Sequence, residues 1–238
     1  MFGILKDSLF SDGEFLIMRS FFAIVMVLFA FTYAFAQVEQ APMIEKEINY
    51  KNWKYKNIRT GDDIDLRELS KGKKLVMVVY FAPWCHDWRF DAPILQKIYD
   101  KYRPAGLEIV GVGEYDPVDS MKNNLDFMKI TFPVVLESEK REDKQKTLHY
   151  GYRQSVGDTR SWGSPWYIFL EPNLLEKKGD TLVKMAHIIN GEMIEAEGEK
   201  FIREKLGLPA VVPKASTAKN GEIEVCDPDK KTTELKKP

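Results

Sequence analysis

Seven consecutive apolar residues, Leu75 to Phe81, constrain this chain more than any other feature. Lysines precede the run and Ala82-Pro83 follows it. A valine-rich run bounded this way reads as a central strand buried on both faces. Immediately afterwards the period changes. Ile94, Leu95, Ile98 and Tyr102 recur at helical spacing with charged residues between them, and Pro104 and Gly106 stop the helix. The junction between strand and helix is Trp84-Cys85-His86-Asp87-Trp88.

The rest of the chain continues the alternation. Trp53 to Ile58 reads as a strand with Trp53, Tyr55 and Asn57 on one side, and Leu107 to Val112 as a second apolar strand. Met121 to Lys129 reads as a helix with Leu125 and Met128 inward, and Phe132 to Leu136 as a short apolar run. Glu137 to Lys146 reads as a charged, exposed loop or helix. Trp166 to Leu170 is a third clear strand, Leu182 to Ile188 can pair antiparallel beside it, and Glu197 to Leu206 closes the domain as a helix ended by Gly207. This order predicts an α/β fold with a mixed central sheet. The domain is placed at 48–208, after a polar lead at 37–47. Residues 209–238 hold few large apolar side chains and read as a disordered tail.

Ahead of the lead, Phe15 to Ala36 is almost wholly apolar, with Met18 and Arg19 at its start and Ala34-Phe35-Ala36 at its end. This reads as a secretory signal cleaved before Gln37, and translation could start at Met18. The alternative is an uncleaved membrane anchor over residues 15–36, since the stretch is about long enough to span. Both place the remainder outside the cytoplasm, in the periplasm or secreted. From Gln37 onward basic and acidic side chains balance, and the whole chain carries a formal net charge of -1. That balance gives no support to nucleic-acid binding, which needs a basic excess or stripe. Two cysteines, Cys85 and Cys226, are too few for a disulfide scaffold. No Gly-rich phosphate loop and no spaced set of metal ligands is present, so neither a cofactor nor a metal is expected. His149 and His187 read as surface or strand residues.

The segment from Trp84 to Trp88 resembles the thioredoxin-like superfamily, in the branch of extracytoplasmic thiol-disulfide oxidoreductases related to peroxiredoxins. That family usually reads Trp-Cys-x-x-Cys here, followed by an acid, one residue and a proline, which Asp91 and Pro93 match. Gly61 and Leu66-x-x-Leu69-x-x-Gly72-Lys73 are similar to the lead into the family's central strand. Phe132-Pro133 matches a downstream pair, and Gly163-Ser164-Pro165 resembles the segment carrying its cis-proline. The resemblance implies a thioredoxin fold with helices on both faces of the sheet. It also implies a cis Ser164–Pro165 bond facing Cys85, with Ser164 offering backbone pairing to a bound partner. Trp88 stands where the family places its second cysteine, so the dithiol becomes a lone thiol.

Cys85 is therefore the candidate catalytic residue, lined by Trp84, His86, Asp87, Trp88, Ser164 and Pro165. A helix start favours a thiolate, whereas Asp87, Asp91 and desolvation oppose it. Disulfide exchange needs an attacking thiolate and a resolving thiol, and Trp88 supplies none. Cys85 could form mixed disulfides with protein or small-molecule thiols, resolved by an external thiol. It could instead be a one-cysteine peroxidase, although Ala82 replaces the usual threonine. Or the site could be a non-catalytic binding or chaperone surface, with Trp84 and Trp88 giving an apolar patch near Pro165. Cys226 is a further candidate resolving thiol if the tail folds back.

Overall fold

The computed structural model describes residues 40–210. The apolar leader at 15–36, the cleavage position before Gln37, the tail from 211 and Cys226 lie outside the described residues. No helix among the described residues is long and apolar enough to cross a membrane.

The run Leu75–Phe81 forms β5, buried along its whole length. It pairs parallel with Leu107–Gly113 (β6) and antiparallel with Trp166–Leu170 (β8), which makes it an interior strand as its composition requires. Beyond β6 lie Val134–Leu136 (β7), Lys54–Asn57 (β3) and Asp63–Asp65 (β4). Beyond β8 lie Thr181–Ile189 (β9) and Ile44–Lys51 (β2). The eight-stranded order is β2-β9-β8-β5-β6-β7-β3-β4, and a separate parallel pair joins Gln40–Ala41 (β1) to Glu192–Met193 (β10). This is an α/β fold with a mixed sheet, of thioredoxin-like architecture.

Alternate side chains of β5 divide the core, since successive residues of a strand face opposite sides. Met77, Val79 and Phe81 pack on one face against His86–Tyr102 (α2), Val118–Phe127 (α3) and Glu195–Leu206 (α5). Val76, Val78 and Tyr80 pack on the other against Tyr50, Trp53, the short helix Leu66–Leu69 (α1) and Tyr152 of Leu148–Ser155 (α4). Tyr102 ends α2, and Arg103–Ala105 and Gly106, at φ 108°, turn the chain into β6.

Several sequence expectations need correction. The polar lead supplies β2, so the sheet begins before residue 48. Its alternation is obscured by Glu45, Lys46 and Glu47 and by a bulge between Glu47 and Tyr50. Helix α3 starts three residues earlier than expected, after Pro117, and ends before Met128, which is only half-buried. Glu137 is not a solvated charge: its carboxylate accepts from the Tyr55 hydroxyl and from the Leu148 amide at the start of α4. Nor is His149 a surface residue, because α4 turns it fully inward.

Helix α4 has no expectation from sequence, yet it has a clear start. Thr147 is its N-cap, accepting from the Tyr150 amide through Oγ1. Thr147→Ala should destabilise the domain by about 1 kcal/mol. Thermal melting should register this as a drop of about 2–4 °C; an unchanged melting temperature would show that the cap contributes nothing.

Candidate functional site

The chain leaves β5 through Ala82-Pro83-Trp84, and the Cys85 amide closes the turn by donating to the Ala82 carbonyl at 2.9 Å. Cys85 is the N-cap of α2, with extended backbone (φ -70°, ψ 130°). The first amides of a helix have no intrahelical acceptor. Those of Asp87 and Trp88 face the Cys85 sulfur and favour its thiolate. They close no cap hydrogen bond to it. Instead, the half-buried thiol donates to the Ser164 carbonyl at 3.0 Å. Ser164 is held in turn by the Ala82 amide, which donates to Ser164 Oγ at 2.9 Å. The Ser164–Pro165 bond is cis and both residues are buried; Ser164 meets Cys85 through its carbonyl, and the Pro165 carbonyl accepts from Arg160.

Burial pushes the Cys85 thiol up. The amides of Trp88 and Asp87 and the Ser164 side chain work against this shift, while the Asp87 carboxylate adds to it. Of the opposing influences the sequence left unweighed, desolvation wins over the helix start.

The candidate residues are not all gathered at the surface. Trp84 is half-exposed; its Nε1 donates to the Tyr115 carbonyl at 3.4 Å and its ring meets Trp162 edge-on at 5.2 Å. The Arg141 guanidinium lies over Trp84 at 4.7 Å and the Lys144 ammonium over Trp162 at 4.6 Å. These four residues make a cationic aromatic cluster that includes Trp84, the chain neighbour of Cys85. Exposed His86 sits 3.6 Å from Asp87 and meets the exposed Phe90 ring at 4.7 Å.

Trp88 corrects the expected patch. It is fully buried, stacked on Phe81 at 4.1 Å, and its Nε1 donates to Asn124 Oδ1 at 2.9 Å. The indole is core, tying α2 to β5 and α3.

Asp91 is also buried. Its Oδ2 accepts from the Tyr167 hydroxyl and from the Met193 amide, the latter at 3.0 Å. Desolvation raises its carboxyl to about 6 despite both bonds. Among the described residues no three His, Cys, Asp or Glu side chains cluster as metal ligands.

The sequence profile of the AhpC/TSA family matches residues 26–158, more than half of the chain. The chain belongs to the AhpC/TSA family. Thiol-disulfide oxidoreductases resemble parts of it. The thiol-disulfide oxidoreductase ResA of Halalkalibacterium halodurans is 29% identical over 77 residues, 32% of this chain and 43% of ResA. ResA of Bacillus anthracis matches with the same identity and coverage. The match thus spans less than half the length of these curated relatives. A thiol:disulfide interchange protein of the thioredoxin family from Chlorobium tepidum superposes with a TM-score of 0.50 at 18% identity. That alignment takes in 68% of this chain and 98% of the other, a likeness of fold. In this AhpC/TSA member Trp88 lies in the core, and Cys85 is a lone thiol among the described residues.

Proposed function

We propose that Cys85 carries out thiol-disulfide exchange outside the cytoplasm, through mixed disulfides that an external thiol resolves. The observation behind this reading is the half-exposed sulfur at the start of α2, 3.0 Å from the Ser164 carbonyl. The Cys85 thiolate attacks a disulfide R–S–S–R, forms Cys85–S–S–R and releases one thiolate. A second thiolate then attacks the R sulfur, restoring Cys85 and yielding a new disulfide. No atom or electron is left over, and Trp88 takes no part. Partners are protein or small-molecule thiols and disulfides.

Exchange should be slow at neutral pH, because burial keeps the sulfur protonated. Below the thiol's own titration, each pH unit raises the thiolate fraction about tenfold. We expect glutathione disulfide to add one glutathionyl mass to a chain carrying Cys226→Ser, at a rate climbing steadily from pH 7 to beyond 9. Cys85→Ser should abolish the adduct. If the Cys226→Ser chain forms no adduct at pH 9, the exchange reading fails.

A second reading is favoured by the cluster of Trp84, Trp162, Arg141 and Lys144 together with a raised thiol. On this reading the site is a binding module. Its mark is partner binding that survives Cys85→Ala, whereas binding lost in that variant points to covalent capture.

A further inference from the structure

His149 lies fully buried on α4, far in sequence from Cys85. Its ring stacks on Tyr80 at 4.9 Å, nearly parallel. Its Nε2 is 3.2 Å from the Gly163 carbonyl and its Nδ1 is 3.1 Å from the Tyr115 hydroxyl. Burial and the Arg153 charge hold this imidazole well below its usual range, so it is neutral. A neutral imidazole has one N–H, and a carbonyl can only accept. Nε2 therefore carries the proton and donates to Gly163, and Nδ1 accepts from Tyr115. The bonding pattern fixes a single tautomer.

The residues around this contact are braced. Tyr115 sits at φ 59°, a left-handed backbone unusual for a bulky side chain. Its carbonyl holds Trp84 while its hydroxyl holds His149. Gly163 is also left-handed, at φ 59°, and a Cβ there would overlap the Arg153 guanidinium. Arg153 in turn donates to Asp158 at 2.9 Å and to the Arg160 carbonyl. The next residue is Ser164, whose carbonyl accepts the Cys85 thiol.

We propose that His149 is a positioning residue for Cys85. By holding the Gly163 carbonyl it fixes the neighbouring Ser164 carbonyl on the sulfur, and that acceptor keeps the thiol protonated. An acceptor bonded to S–H favours the neutral form, so losing it frees the thiolate. The groups that bear on this balance are few. The Asp87 carboxylate raises the thiol and the Ser164 side chain lowers it, against the effect of the Ser164 carbonyl, and Tyr167, backed by Asp91, lies behind the sulfur. Around His149 stand Arg153, Arg160 and Asp158. The inference rests on the exchange reading only for its use; the thiol's titration can be read without any disulfide.

The test is the pH profile of iodoacetamide alkylation at Cys85, followed by mass in the full chain carrying Cys226→Ser. His149→Phe keeps an aromatic ring and removes both nitrogens. It should move the profile to lower pH and speed alkylation at pH 7.5 by about three- to tenfold, the range a single hydrogen bond commands. His149→Gln retains a donor and should stay within about twofold of the parent, a smaller fraction of one hydrogen bond. Tyr115→Phe, which removes the hydroxyl that meets both Nδ1 and Thr147 Oγ1, should shift the profile in the same direction by less, and it decides the matter if His149→Phe does not fold. A His149→Phe profile that overlays the parent, with only the melting temperature lowered, overturns the proposal. Equal shifts for Phe and Gln overturn it too. Neither outcome depends on whether glutathione disulfide reacts.

Discussion

Trp88→Cys should destabilise the domain by about 3–5 kcal/mol, the cost of emptying a fully packed aromatic site. The indole is wholly buried and stacked on Phe81, so its removal forfeits both burial and ring contact. Asn124 Oδ1 also loses its donor. For a domain of this size the loss corresponds to a melting temperature lower by about 6–20 °C. The same substitution introduces a thiol three residues after Cys85, where the resembled family places its second cysteine. Below its lowered melting temperature, the variant should reduce insulin with dithiothreitol faster than the parent, which should not exceed the uncatalysed rate. Trp88→Phe separates the two effects: it keeps a ring on Phe81 and should cost far less. Two measurements decide the matter, denaturant unfolding and insulin turbidity. A variant as stable as the parent would mean that Trp88 is not a core residue in solution. A folded variant that links the introduced cysteine to Cys85 but stays inactive would favour the binding reading.

Asp91→Asn should stabilise the protein by about 3 kcal/mol at pH 8 and by only about 0.5 kcal/mol at pH 4. The folded carboxyl titrates at about 6 and its ordinary value is 3.8, so the fold favours the protonated form. Below pH 3.8 both states are protonated and there is no penalty. Between 3.8 and about 6 the unfolded chain releases a proton that the folded chain keeps, and stability falls as pH rises. Above about 6 the penalty is complete. Asparagine has no charge to bury, and its carbonyl can accept from both Tyr167 and Met193, which now share Oδ2. Urea unfolding of both proteins across pH 4 to 8 tests this. Parallel stability curves, with no gap opening toward pH 8, would show that Asp91 ionises in the fold without cost.

The central strand, the helix after it and the thiol between them were legible because their signals are local. Leu75–Phe81 is continuously apolar, and the period changes at Cys85. What the sequence hid was the direction of side chains at the junction. Cys85 has extended backbone as the N-cap and so stands outside the helical wheel that relates later residues. A wheel that includes it puts the Trp88 indole beside the sulfur. In the structure the Trp88 amide faces the sulfur and the indole turns under Phe81. The balance of forces on the thiol was equally hidden, since desolvation depends on packing that no spacing reveals. His149 left no trace because its partners, Tyr115 and Gly163, come from separate loops. Only Thr147, an N-cap residue just ahead of Leu148 and Tyr152, hinted that a helix began there.

The outer strands of the sheet bear on whether copies of this chain can stick together. An uncovered strand edge offers free amides and carbonyls to any neighbour, and long flat apolar edges seed aggregation. Among the described residues, β2 and β4 are the two ends of the eight-stranded sheet. Exposed Glu45, Lys46 and Glu47 stud β2, and its ladder is broken by a bulge where Asn49 adopts φ 49°. At the other end β4 is only three residues long and carries Asp63 and Asp65. Each edge therefore resists edge-to-edge association by charge, by irregularity or by brevity, while the apolar strands that would polymerise most readily lie at the centre.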